Sequence, residues 1–160
     1  MPHITLLLHN IRSTHNVGSI FRSADGFGVT KIIMTGYTPY PTFPRDKRLP
    51  HLAAKITKQI DKTALGATAS VPFEYHDNLL TWLEANTLPL VALEQSPRSI
   101  PISEYRGTSE FVLVLGEEVA GIPDELLERC EDIIEIPMTG LKESFNVSVA
   151  TGIALYALTT

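Results

Sequence analysis

At 160 residues the chain is of single-domain size, and 44% apolar against 19% charged residues excludes a disordered or collagen-like polymer. The apolar run Ile4 to Leu8, broken only by Thr5, is far short of the ~20 residues of a membrane span, no basic region precedes an apolar stretch at the N-terminus, and one cysteine, Cys130, excludes an internal disulfide or cysteine-rich metal cage, so a cytoplasmic protein is expected. The formal charge of −5 is unevenly divided: residues 1–62 carry nine Lys or Arg against three acids, a balance of +6, which leaves −11 on the remainder.

A basic half on an acidic chain is what a face that meets phosphates requires, although ordinary solvated helix faces give the same count. Short β-branched runs alternate with amphipathic stretches, the pattern of an α/β domain on a mostly parallel sheet with helices on both faces. In chain order these predict a strand over Ile4 to His9, a helix over Val17 to Gly26, a strand over Lys31 to Thr35 and a helix over Leu52 to Lys58. There follow a strand over Val71 to Tyr75, a helix over Asn78 to Ala85, and strands over Leu90 to Leu93 and Phe111 to Leu115. The series ends with a helix over Asp124 to Cys130, a strand over Ile133 to Ile136 and a helix over Val147 to Leu158. Pro39, Pro41, Pro44 and Pro50 exclude regular structure from Tyr37 to His51, since each lacks a donor and restricts its neighbour. With Arg45, Lys47 and Arg48, that loop is a candidate substrate contact; the alternative is a flexible surface crossover. One domain over residues 1–160 is expected.

Several chemistries lack their signatures. There is no GxxxxGK[ST] loop for a nucleoside triphosphate, no GxGxxG after the first strand and no GxSxG elbow. His3, His9, His15, His51 and His76 show no ligand spacing, so no metal is expected.

Three strings carry the remaining information. In the first, Asn16 to Ala24, Val17, Ile20, Phe21 and Ala24 fall at helical spacing, which leaves Asn16 at the N-terminal turn and Arg22 on another face. Read blandly, Asn16 caps a helix and Arg22 is a surface residue. The second, Leu115 to Pro123, lies at the carboxyl end of an apolar strand, where open α/β sheets bind ligands; Gly116 and Gly121 allow close backbone approach and the acidic pair Glu117 and Glu118 can orient a ribose hydroxyl or a cation, or else the glycines bound a plain turn. The third runs from Ile136, Pro137 and Met138 through Ser144, Phe145 and Asn146 into the last helix, where Ser144 and Asn146 also suit capping.

Together, in this order, the strings resemble the SpoU/TrmH-type RNA ribose 2′-O-methyltransferases of the SPOUT superfamily. The matches are Asn16, Gly18, Arg22 and Ser23 to N-x-G-x-x-x-R-[ST]; Gly116, Glu118 and Gly121 to G-x-E-x-x-G; and Ile136, Pro137, Met138, Ser144, Asn146, Ser148 and Ala150 to I-P-M with S-x-N-x-S-x-A. The resemblance implies S-adenosylmethionine as methyl donor, a homodimer, and a C-terminal trefoil knot, which departs from the general rule that chains do not thread loops. It implies a cofactor pocket made by Leu93, Glu94, Gly116, Gly121, Ile136, Met138, Ser144 and Phe145, the last standing where the family often has Leu or Met. It also implies catalysis by Arg22, with Asn16, Glu118, Ser144 and Asn146 holding it and the ribose. An arginine rarely loses its proton, so Arg22 is expected to stabilise the developing alkoxide and bind the adjacent phosphate, with proton removal assisted by phosphate or water; the resemblance also leaves open Arg22 as the direct activator of the hydroxyl.

Arg12, Arg22, Arg45, Lys47, Arg48 and Lys55 are the candidate RNA contacts. With no appended RNA-binding domain expected, the substrate is expected to be a structured RNA met by the catalytic dimer itself, tRNA before rRNA. A non-catalytic RNA-binding relative and a small-molecule α/β protein are the rival readings.

Overall fold

The computed structural model describes residues 1–160. Seven strands, β1 (His3–His9), β2 (Lys31–Thr35), β3 (Phe73–His76), β4 (Leu90–Leu93), β5 (Ile100–Pro101), β6 (Glu110–Leu115) and β7 (Asp132–Glu135), form one sheet in the order β3-β2-β1-β6-β4-β7-β5. Every pairing of named strands is parallel. Central strands of such a sheet are covered on both faces, which is why β6 is buried from Phe111 to Leu115 without alternation.

Six helices flank the sheet: α1 (Thr14–Gly26), α2 (Pro50–Ala64), α3 (Ala67–Ser70), α4 (Leu79–Ala85), α5 (Asp124–Leu127) and α6 (Val147–Thr159). Successive strand residues point to opposite faces. Leu6, Leu8, Ile32 and Met34 meet Ile20 and Phe21 of α1, Ile60 of α2 and Leu155 of α6 in one core, whereas Leu7, Ile33, Val112 and Val114 meet Leu83 of α4 and Leu126 of α5 in the other. Helices thus cover both faces, as the sequence pattern predicts.

The differences from the predicted elements have local causes. Pro50 opens α2 at its first turn, where a missing N–H goes unused, and buried Ala53, Ile60 and Ala64 keep helical spacing well past Lys58. The third strand starts later than Val71, because Pro72 offers its carbonyl to Ile32 but has no N–H to continue the ladder. Helix α5 ends at Leu127, short of Cys130. β5, α3 and the 3₁₀ turn Ile102–Glu104 have two to four residues each, too few for any periodicity to register.

β4 lies between β6 and β7, and α6 packs against α1 and the 3₁₀ turn. This interleaving accommodates the threaded C-terminal half that the resemblance implies. No helix is long and apolar enough to cross a membrane. Because all strands run the same way, the loops after β1, β4, β6 and β7 gather at one edge of the sheet.

Candidate active site

Ser13, not Asn16, caps α1: its Oγ accepts the Asn16 backbone N–H at 3.1 Å. The Asn16 amide is thereby released for tertiary contacts. Its Nδ2 donates to Glu118 Oε1 at 3.2 Å, and its Oδ1 accepts from Asn146 Nδ2 at 3.2 Å. Asn146 caps α6, accepting from the Ser148 N–H at 2.9 Å and the Ser148 hydroxyl at 2.7 Å. Glu118 also accepts the backbone N–H groups of Arg12 (3.2 Å) and Ser13 (3.4 Å). Burial works against its charged form, but hydrogen bonds from its own backbone, Arg12, Asn16 and Ser13 prevail and hold the carboxyl below the ordinary glutamate range. One residue from each of the three strings therefore joins a single network. Beside it, Arg12 pairs with Glu117 at 3.4 Å and lies 5.9 Å from the centre of the Tyr37 ring.

The network stands at the mouth of a cleft of about 540 Å³, whose lining includes Leu93, Leu115, Ile122, Ile136, Phe145 and Val147. Its charged members, Glu94, Glu117, Glu118, Asp124 and Glu135, are all acids. Gly121, at φ +72°, closes the loop after β6 by donating its N–H to the Glu117 carbonyl at 2.9 Å. A side chain there would meet the Glu94 carboxylate, and one at Gly116 would meet the backbone of Gly121 and Ile122. Gly116 thus serves the closure of its own loop before it serves any ligand. Glu94 fixes two loops, accepting from Ile122 N–H at 3.0 Å and Gln95 N–H at 2.9 Å. Gln95 Nε2 in turn donates to the Glu143 carbonyl at 2.7 Å and ties the loop after β4 to the third string.

Of the expected cofactor residues, Leu93, Glu94, Gly116, Gly121, Ile136, Ser144 and Phe145 line this cleft; Met138 does not. Arg22 is an exposed residue of α1 that makes no side-chain hydrogen bond to Asn16, Glu118, Ser144 or Asn146 and lies outside the cleft lining, so the expected scaffold around it is absent within one chain. Two positions beyond Asn146, Ser148 is tied to that cap, while Ser144 faces the cleft without a side-chain partner.

Among the expected RNA contacts, Arg12, Arg45, Lys47 and Lys55 are exposed. Arg48 is not available: its guanidinium binds Asp46 at 2.6 Å, the carbonyls of Tyr40 at 2.9 Å and Pro41 at 3.2 Å, and sits 3.7 Å over the Tyr40 ring, which itself stacks on Tyr75 at 3.8 Å. The Pro-rich loop is thus a packed structure, not a slack crossover. Ser13 and Gln95 were not singled out from the sequence; Gln95 neighbours Glu94, which was, and the Ser13-x-x-Asn16 spacing is the only local signal of the cap.

The SpoU rRNA Methylase family matches residues 3–156 of the chain. The chain belongs to this family. The 23S rRNA (guanosine-2'-O-)-methyltransferase RlmB of Coxiella burnetii is 34% identical over 158 residues, which make up 97% of this chain and 57% of that protein. The chain spans a little over half the length of the curated relatives it matches. Among solved structures, the AdoMet-bound rRNA methyltransferase of Sinorhizobium meliloti superimposes with a TM-score of 0.79 at 26% identity, covering 97% of this chain and 55% of that one. The A. aeolicus TrmH/SpoU tRNA modifying enzyme gives 0.77 at 27% identity, covering 99% and 75%. The fold is that of these methyltransferases, a mostly parallel sheet flanked by helices.

Proposed function

We propose that residues 1–160 act as one S-adenosylmethionine-dependent unit that methylates a ribose 2′-hydroxyl in structured RNA. The observation that carries this reading is the convergence of Asn16, Glu118 and Asn146, which lie far apart in sequence, into one hydrogen-bonded network at the cleft mouth. The cleft suits the cofactor. Its volume is in the range of small-molecule sites, its apolar walls suit an adenine, and its wholly acidic charged lining favours a ligand bearing sulfonium and ammonium charges while repelling polyphosphates. When bound, S-adenosylmethionine supplies an electrophilic methyl group. The residues of the chain position the reactants: Glu118 and Asn16 orient the ribose, Ser144 offers its free hydroxyl to the cleft, Asn146 fixes Asn16, and the hydroxyl proton passes to the neighbouring phosphate or to water as the methyl is transferred. Arg22, charged and exposed, stabilises the developing alkoxide and the adjacent phosphate once RNA is seated. Its place outside its own cleft supports a homodimer in which α1 of one protomer completes the other's site.

Sequence similarity to 23S rRNA methyltransferases supports rRNA as the substrate class, ahead of the tRNA expected from size. The tRNA reading retains two observations, the likeness to the A. aeolicus tRNA modifying enzyme over 75% of its length and to a structure described for the 2-OH methylation of C/U34 on tRNA over 89% of its length. Incubation with methyl-labelled S-adenosylmethionine and, separately, rRNA and tRNA decides between them. Label at a ribose 2′-oxygen in rRNA is the expected result. Label confined to tRNA transfers the assignment, RNA binding without label supports a non-catalytic relative, and neither binding nor label supports the small-molecule reading.

A further inference from the structure

A second cavity, of about 400 Å³, opens beside the cleft and plays no part in the chemistry above. The two share a wall: Asp124 and Leu127 line the cleft, whereas Pro123, Glu125 and Leu126 line the second cavity. Its floor is apolar, from Leu79, Leu83 and Leu126, and its polar groups are His9, Asp77, Asn78, Glu125 and Arg129.

The state of His9 follows from its neighbours. Asn10, held at φ +58°, accepts the Tyr37 N–H through Oδ1 at 3.1 Å, so its amide nitrogen faces His9 Nε2 at 3.3 Å. Nε2 must therefore accept, and Nδ1 carries the proton and donates to Thr35 Oγ1 at 2.9 Å. His9 is a fixed, neutral ring in the cavity wall. The carboxylates of Asp77 and Glu125 disfavour a phosphate inside the cavity. Together with Arg129 they call for a planar ligand with adjacent N–H donors on one edge and two acceptors on another. Guanine has both: N1–H and N2–H match a carboxylate, and O6 and N7 match an arginine. Adenine and cytosine have an exocyclic N–H donor next to a ring acceptor and so lack the adjacent donor pair, and uracil has one N–H.

We infer that this second cavity takes a guanine of the bound RNA, at or next to the methylated nucleotide, and sets the sequence preference of the enzyme. This rests on the RNA-substrate reading above. The test is an NMR titration of the full chain with the four ribonucleoside 5′-monophosphates, followed at the His9 ring and the Leu83 and Leu126 methyls. GMP alone is expected to shift these signals at millimolar concentration, and Glu125→Gln and Asp77→Asn are each expected to weaken that binding about tenfold. S-adenosylmethionine should move Phe145 and Ile136 instead, with the same affinity in both variants. In methylation assays Glu125→Gln should raise the KM for RNA, while Glu84→Gln, on the exposed side of α4, should not. Absence of a GMP shift, equal shifts from all four nucleotides, or an unchanged RNA KM in Glu125→Gln would overturn the assignment. A selective GMP shift in a protein that labels no RNA would support the guanine site and overturn the methyltransferase reading.

Discussion

Glu118 accepts hydrogen bonds from three neighbours, so its ionised form is part of the site's geometry. Its carboxyl is held below the ordinary range, which means that the contribution of these bonds is complete above the ordinary glutamate pKa and is lost as pH falls through the depressed one. Glu118→Gln keeps the shape but turns one acceptor into a donor facing Arg12 N–H, Ser13 N–H or Asn16 Nδ2. The expected result is a fall in kcat of about 10- to 100-fold, with the cofactor affinity retained, as for a displaced positioning group; calorimetry and single-turnover kinetics separate the two. The basic residues of the Pro-rich loop divide similarly. Lys47 is exposed and Arg48 is bound to Asp46, which its hydrogen bonds hold below the ordinary aspartate range. Lys47→Ala should therefore weaken RNA binding and lower its salt slope by ~0.7 to 0.9 if the contact is to phosphate. Arg48→Ala should instead lower thermal stability by about 1–3 kcal/mol, because it leaves two carbonyls and a carboxylate without their donor. Thermal melts and salt-dependent binding of the two variants check this division.

At the scale of elements, Gly18 of the first string acts in packing, not in catalysis. A Cβ there would fall on the Ile60 carbonyl and the Thr63 hydroxyl of α2, so α1 and α2 touch only because Gly18 has none. The Thr63 Oγ1 donates to the His15 carbonyl at 2.8 Å and locks the same contact. Alanine is the better helix former by about 1 kcal/mol, yet here backbone must move to admit it. Gly18→Ala is expected to destabilise the protein by about 1–3 kcal/mol and, because Asn16 lies half a turn away, to lower activity as well. Denaturant unfolding measures the first effect; a variant more stable than the parent would show that α2 gives way freely.

For the whole molecule, α6 is the element out of balance. It carries no charged residue, and only one side of it is covered: Val149 and Tyr156 stay 50% and 62% exposed, beside Phe145 at 40%. A helix apolar all round is normally buried all round. The exposed side is therefore expected to pair two chains, giving a mass of twice 17.6 kDa by light scattering. Val149→Asp with Tyr156→Asp should yield a folded monomer that binds S-adenosylmethionine and has lost most RNA methylation, since Arg22 then reaches no partner cleft. A monomeric parent with full activity would refute the paired site.

Alternating β-branched runs and helical spacings were enough to specify the α/β class, the parallel sheet and most element positions, because burial on both sheet faces writes itself as continuous apolar strands such as Phe111 to Leu115. The motif residues were legible for the same reason that they are local: Gly121 needs its positive φ, and Asn146 caps the helix it precedes. What no local pattern holds is which distant groups share a hydrogen. Asn16 had two readings until Ser13 took the cap and freed its amide for Glu118 and Asn146. Arg48 had the composition of a phosphate contact until the fold of the loop brought Asp46, Tyr40 and Pro41 around it. Arg22 and Met138 belong to the strings but not to the cleft of their own chain, because strings fix order along the backbone, whereas the direction of each side chain is settled by packing. Short-range propensity and burial period thus determined the fold; the chemistry of each charged group was decided by the tertiary partners that satisfied it.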